Sequence, residues 1–237
     1  MAGSHGRWPW PREVLAESLA KLNDAKVAAV AFNIMLSDPD LKNQSSDEIF
    51  NQIATESNNT SFPLIRLNAN NDKQSQIKLK MIKGVTGPAT ELDKPIALLF
   101  PGFTGTHDKL GLVNLHTESD GVVRSYSVYS KEGLDQSVRI PSIVARVFNT
   151  LKEAKNQQIN TAKKPLSDSI ILNWRNKNGT YQRISFSDYF NAKGQQDLAD
   201  TPTDIVMMTE RAYRPYNMAN VKINGGYYTT SISGDLS

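Results

Sequence analysis

The sequence predicts an α/β fold: a three-layer α/β sandwich around a mixed, largely parallel central sheet. Three observations point there. Short, almost continuously apolar runs, suited to strands buried on both faces, alternate with segments of helical periodicity. The first four elements read helix, strand, helix, strand, the order of a layered domain. The 237 residues suffice for one sizeable core, and no linker divides them.

Taken in order, Pro11 opens the first helix, because a missing N–H is harmless in a first turn. Val14, Leu15, Leu19 and Leu22 then share one face as far as Asp24. Residues 27–36 (VAAVAFNIML) read as a strand buried on both faces, ended by the turn cluster SDPD. In SSDEIFNQIATES, Ser45 and Glu48 have capping-box spacing, and Ile49 and Ile53 lie one turn apart, so a helix starts near Asp47. Residues 62–67 form the next strand.

The middle is less regular. NANNDKQSQ (68–76) reads as a mobile loop. IKLKMIKGV alternates Ile77, Leu79 and Met81 with lysines, the pattern of a half-exposed strand. Residues 96–100 form a buried strand stopped by Pro101. The segment 111–130 reads as two strands joined around Asp120-Gly121, a common turn pair. From Pro141, the residues Ile143, Val144, Val147, Phe148 and Leu151 mark another amphipathic helix. Residues 169–174 and 204–209 supply two more strands, and residues 184–190 (ISFSDYF) open a short helix. The tail from Arg211, rich in Tyr, Asn and Gly, has no helical periodicity.

Composition narrows the functional classes. A net charge of +3 with scattered basic residues gives no electrostatic footprint for nucleic acid. Cysteine is absent, which fits a compartment where thiols are a liability. No apolar run reaches the roughly 18 residues of a membrane helix. Residues 1–5 (MAGSH) read as a cloning scar, leaving 6–237 as one domain.

Motifs for catalysis are thin. The three histidines lack metal-ligand spacing, and neither a G-x-S-x-G elbow nor a glycine-rich phosphate loop is present, so no metal, cofactor or catalytic residue is assigned. GFTGTHDKLG places His107 beside Asp108 among Gly102, Gly105 and Gly111. With Asp38 and Asp40 these groups define the alternative reading, a secreted or periplasmic hydrolase. Asp38 and Asp40 follow a predicted buried strand, and ligands of open α/β sheets collect beyond the carboxyl ends of strands. Asn33, Asp38 and, after another predicted strand, Arg175 are therefore the candidate ligand-binding residues. Arg12, Arg124 and Arg175 stand at element boundaries, where a guanidinium fork commonly anchors a carboxylate or carbonyl.

GRWPWPREVL, followed by the buried strand and SDPD, resembles the second type of CHASE domain, an extracellular sensing module of bacterial membrane-bound cyclases, histidine kinases and serine/threonine kinases. GLVNLHTESDGVVRSYSV is similar to that family's G-x-V-N segment and D-G-V-V-R turn. ILNWR, YQRISFSDYF and DIVMMT are similar to its later strands and helix. The likeness runs from residue 6 to about residue 210. Asn33 stands where the family usually carries Asp.

The resemblance implies a sensor domain without chemistry of its own, on the periplasmic or extracellular face of the bacterial inner membrane. Its partner would be a small-molecule or protein signal, its parent receptor a homodimer, and its membrane contact only flanking helices. Trp8, Pro9, Trp10, Pro11 and Arg12 form a rigid structural entry that lays the first helix on the sheet. The family also carries a short apolar strand ahead of Gly6. Placed beside residues 27–36, that strand leaves a slot for the tail 221–232 or a second molecule to fill, unless it is a dispensable edge strand whose loss exposes a sheet edge. A scaffold module without a ligand is the third reading.

Overall fold

The computed structural model describes residues 10–41, 43–155, 167–172, 182–185, 205–210 and 227–232. Helix α1 (Arg12–Asp24) starts directly after Pro11, whose φ of −55° leads the chain into the helix. It buries Leu15, Ala16, Ser18, Leu19 and Leu22. Its end is closed by Lys26, whose positive φ of 55° lets its N–H reach the Asn23 carbonyl. Strand β1 (Ala29–Asn33), helix α2 (Gln44–Glu56) and strand β2 (Thr60–Arg66) follow.

The chain then leaves the sheet through two 3-10 turns, Ala69–Gln74 and Leu79–Met81, and the short helix α3 (Ala89–Leu92). It returns as β3 (Leu98–Leu99) and β4 (Leu110–Leu112), makes β5 (Ser125–Ser127), β6 (Tyr129–Glu132) and β7 (Val138–Pro141), and enters helix α4 (Ile143–Lys155). The remaining described strands are β8 (Ser169–Ile171), β9 (Gln182–Ser185), β10 (Ile205–Glu210) and β11 (Tyr227–Ile232).

Seven strands form the central sheet in the order β3-β2-β1-β10-β11-β9, with β4 also on β2. Every pairing is parallel except β2 with β3. Strand β1 sits at the centre, in register with β10 from Ala29–Ile205 to Asn33–Thr209. Its side chains alternate between two cores. Val30 and Phe32 join Leu15, Leu19, Phe50 and Phe62 in the cluster under α1 and α2. Ala29 and Ala31 join Ile143, Val147 and Leu151 of α4 in the other. Helices therefore cover both faces, and the predicted three-layer α/β sandwich with a mixed, largely parallel sheet is the observed fold.

Several local readings need correction. The first strand is shorter than residues 27–36, although Ile34 and Leu36 stay buried beyond the ladder. Helix α2 begins at Gln44, so Ser45 and Glu48 lie inside it and no capping box forms; Ser46, Phe50 and Ala54 face the core while Ile49 is exposed. The segment 68–76 winds into a 3-10 turn whose Asp72 accepts the Ala97 N–H at 2.7 Å. IKLKMIKGV also turns, which buries Leu79 and Ile82 and leaves Met81 outside. The strand expected at 96–100 shrinks to two residues at the end of β2.

The two strands flanking Asp120-Gly121 do not pair with each other: β4 joins β2, and β5 joins β8 in a separate two-stranded sheet. Of the strand predicted over 169–174, Ser169–Ile171 thus lies outside the central sheet, and residues 173 and 174 fall outside the described residues. Ile184 and Ser185, expected to open a helix, belong to β9. The tail does enter the sheet as β11, but beside β10. Both edges of β1 are taken by β2 and β10, so the vacant slot expected there is filled from within the chain.

Gly111 in β4 marks the closest approach of sheet and helix. A Cβ built there would lie 2.5 Å from both the N and Cα of Ile143. Backbone cannot yield as a flexible side chain can, so Gly111→Ala should push α4 off the sheet. Overpacking of this kind costs roughly 1–3 kcal/mol or more. Urea unfolding should show that loss, and a midpoint unchanged from wild type would refute the close contact.

Candidate functional site

The antiparallel relation of α1 and α2 to β1 brings both helix N-termini to the carboxyl end of the sheet, where the SDPD turn lies. Arg12 ties these pieces together. One guanidinium nitrogen donates to the Asp38 carbonyl at 2.9 Å, and its Nε faces the Asp47 carboxylate at 3.5 Å. Asp47 also accepts the Asp40 N–H at 2.7 Å, and Asp40 in turn accepts the Asn43 N–H at 3.2 Å. Glu13 accepts from the Asn43 amide at 2.9 Å, while the Glu13 N–H donates to the Ser46 hydroxyl at 3.1 Å. Trp10, buried in the main core, fixes the entry to α1. Trp10, Pro11 and Arg12 therefore act as structural anchors; Trp8 and Pro9 lie outside the described residues.

Of the three predicted ligand-binding residues, the structure places two at this edge. Asn33 is half-buried at the end of β1, opposite Thr209. Asp38 is exposed on the following turn, where its backbone carbonyl holds Arg12 and, among the described residues, its carboxylate accepts only a long hydrogen bond from Ser37, at 3.4 Å. Arg175 lies outside the described residues.

The same edge carries a cluster that the sequence did not announce. Arg66, the last residue of β2, makes a two-pronged pair with Asp72, each prong 2.7 Å, and its Nε faces Glu132 at 3.5 Å. The Asn114 side chain pairs with the Arg66 backbone in both directions, at 2.7 and 2.9 Å, extending the sheet beyond β4. Burial opposes ionisation of Asp72, but the hydrogen bonds from Arg66 and the Ala97 N–H outweigh it and hold its carboxyl below the ordinary value. Burial likewise opposes the charge on Arg66, and the two carboxylates more than compensate. The signal was present as an arginine at a strand end, but its partner is chosen by a 3-10 turn that pattern reading took for a loop.

The remaining motif residues have local structural work. His107 stacks edge-on against Phe100, with ring centroids 5.6 Å apart, and Asp108 faces Lys83 at 3.7 Å. Gly105 lets its loop lie on α2, since a Cβ there would meet the Asn51 carbonyl oxygen at 2.5 Å. Lys109 caps the carboxyl end of α2 through the Ala54 and Thr55 carbonyls. In D-G-V-V-R, Asp120 accepts the Val122 N–H and a two-pronged bond from Arg124, which brings its carboxyl down to about 2. Gly121 supplies the positive φ that the turn requires. Among the described residues, no three His, Asp or Glu side chains gather as a metal site.

The Arg66–Asp72 pair sets a pH dependence. A carboxyl depressed in the folded state binds its proton less readily than in the unfolded chain, whose value is near 3.8. Its contribution is therefore complete well above that value and disappears as pH falls through it toward the lower folded value. Asp72→Asn should lose roughly 1–3 kcal/mol at pH 7, the usual cost of weakening bonds to a part-buried charged group. The gap from wild type should close below about pH 4. Denaturant unfolding across pH 2–7 measures it; a gap constant over that range would exclude the charge as its cause.

The model of one protein family, the CHASE2 domain, matches residues 1–217. No curated protein and no solved structure matches the chain. The matched span takes in Trp10 and Pro11, the Arg12 corner, Gly111 of β4, Asn114 beyond it and the Asp120 turn, whose roles were derived above from geometry. The chain belongs to the CHASE2 family of extracellular, non-catalytic sensory domains.

Proposed function

We propose that this domain is the ligand-sensing module of a bacterial transmembrane receptor, facing the periplasm or the cell exterior. Its output would be an adenylate or guanylate cyclase, a histidine kinase or a serine/threonine kinase, working as a homodimer. The observation that carries this reading is the family match over a fold whose carboxyl sheet edge stays polar and accessible. Asn33, Asp38 and Arg175 are the residues we assign to the ligand. A parallel sheet with helices on both faces leaves its crevice beyond the strand ends, where connections diverge from β1. The amino ends of α1 and α2 add their partial positive charge at that edge.

Signalling then requires that the ligand bind one arrangement of the domain better than another, because equal affinity shifts nothing. The polar corner around Arg12 joins the first helix to the SDPD turn, so a ligand on Asp38 acts on the segment that leads into the domain. Among the described residues no helix is long and apolar enough to cross a membrane. The reading therefore places the spans in flanking chain. Reporter fusions on either side of the domain in the full-length gene product should report membrane spans and a cytoplasmic catalytic module. A gene product without any span overturns the receptor reading.

Asp38 offers the sharper test. Asp38→Asn keeps the backbone carbonyl that holds Arg12, so thermal stability should change by no more than about one degree. Loss of a charged hydrogen-bond partner costs about 1.5–3 kcal/mol, so the concentration of signal needed for half response should rise roughly tenfold or more. A large fall in melting temperature with an unaltered response would make Asp38 a structural residue. Replacing His107 and Asp108 together by alanine should leave the response intact. Turnover of any substrate that vanished in that double variant would restore the hydrolase alternative.

A further inference from the structure

The turn between α2 and β2 reads Glu56-Ser57-Asn58-Asn59-Thr60. Asn-x-Thr is the acceptor pattern for N-linked glycans. Transferases of bacterial type also read a carboxylate two residues before the asparagine, and Glu56 supplies it here. The described residues hold two other Asn-x-Ser/Thr triplets, beginning at Asn43 and Asn59. Both lack that carboxylate, with Leu41 and Ser57 in its place.

The structure separates the three asparagines independently of the pattern. The Asn43 amide nitrogen donates to Glu13 at 2.9 Å, and the Asn59 amide nitrogen donates to the Val27 carbonyl at 2.7 Å. Asn58 is exposed on the turn, and its side chain makes no hydrogen bond among the described residues. It stands at the rim of an open groove of about 350 Å³ between the carboxyl ends of α1 and α2, over Ala20 and Ile53 and beside Asn23 and Asp24. A substituent on Asn58 therefore has room in the folded domain and polar neighbours for its first sugar.

We infer that Asn58 is an acceptor for an N-linked glycan. The inference rests on the extracellular character of the family and is independent of the signal the receptor reads. The donor is an oligosaccharide carried on a polyisoprenyl diphosphate. The Asn58 amide nitrogen bonds to the anomeric carbon of the first sugar and the sugar–phosphate C–O bond breaks. The lipid diphosphate leaves with the electron pair, and one amide proton passes to a basic group of the transferase.

The order of events follows from Thr60. Its hydroxyl is buried against Ser57 at 2.5 Å, and Thr60 itself opens β2 in register with Val30. A transferase that reads this hydroxyl reaches it only before β2 docks, so the glycan is added during export and the folded domain is refractory. The glycan then projects from the amino edge of the sheet, opposite Asn33 and Asp38, and leaves the ligand crevice open.

The test exports the full chain, with an acidic acceptor sequon appended at its carboxyl end, in cells carrying a bacterial-type transferase and its lipid-linked glycan. The appended sequon, modified on export, separates a failure at Asn58 from a failure to reach the compartment. Intact-mass and glycopeptide spectrometry should find two glycans on wild type, one at Asn58. Asn58→Gln and Glu56→Gln should each carry only the appended one, with unchanged melting temperature. Purified, unglycosylated, folded chain incubated with transferase and donor should be modified at the appended sequon alone. A wild-type chain modified at the appended sequon but bare at Asn58 overturns the inference. Equal modification of Asn58 in the folded chain overturns the proposed order.

Discussion

Burial of β1 on both faces is the constraint from which the rest of the architecture follows. A strand with alternating small and large residues can accept one helix close to the backbone and a thicker layer on the other side. Ala29 and Ala31 let α4 approach, and Gly111 in β4 continues that flat floor. Val30 and Phe32 face the opposite way, into a cluster where Phe32, Phe50 and Phe62 lie with ring centroids 5.5–6.0 Å apart. Edge-on aromatic contacts of this kind add about 0.5–1.5 kcal/mol beyond the area they bury. Slipping β1 by one residue would drive Phe32 into the space meant for Ala31, so the register is fixed by size alone.

The polar edge at the carboxyl end depends on that packing. Once α1 and α2 lie on the same face, their amino ends are neighbours, and each has unpaired N–H groups. The Ser46 hydroxyl of α2 meets one of these, the Glu13 N–H of α1, while Asp40 and Asp47 accept N–H groups of the turn that leads into α2 and the Asp38 carboxylate is left exposed. The Arg66 cluster plays the same part at the end of β2. Neighbouring carboxylates on one surface are thus divided between those tied into the turn and one left exposed to solvent.

How much of this was legible in the sequence depended on the range of the forces involved. The residues of β1 announced themselves because continuous apolar character needs no partner to be recognised. Leu15, Leu19 and Leu22 did so through period alone. IKLKMIKGV was misread because Ile77, Leu79 and Met81 imitate a strand, whereas the fold needs Leu79 and Ile82 on one side, which a tight turn provides. The Arg12–Asp47 and Arg66–Asp72 pairs were invisible as pairs, since a charge names no partner until turns are formed. Asn33 and Asp38 were reached through the rule for strand ends. Asn114 and Glu132 were missed because their role begins only when β4 and β6 arrive beside Arg66.

The position of β10 bears on how the chain folds. Ala29 is paired with Ile205, so one edge of the central strand waits for residues made long after the other edge is satisfied by Thr60. Closing so long a loop adds little to the final free energy, because the entropy grows only logarithmically with length, but it slows folding considerably. Until it closes, the nascent domain shows an apolar, hydrogen-bond-hungry strand edge, the kind that pairs with other chains. Synthesis and export of this protein must therefore pass through an interval in which protection of one five-residue edge decides between the native sheet and aggregation.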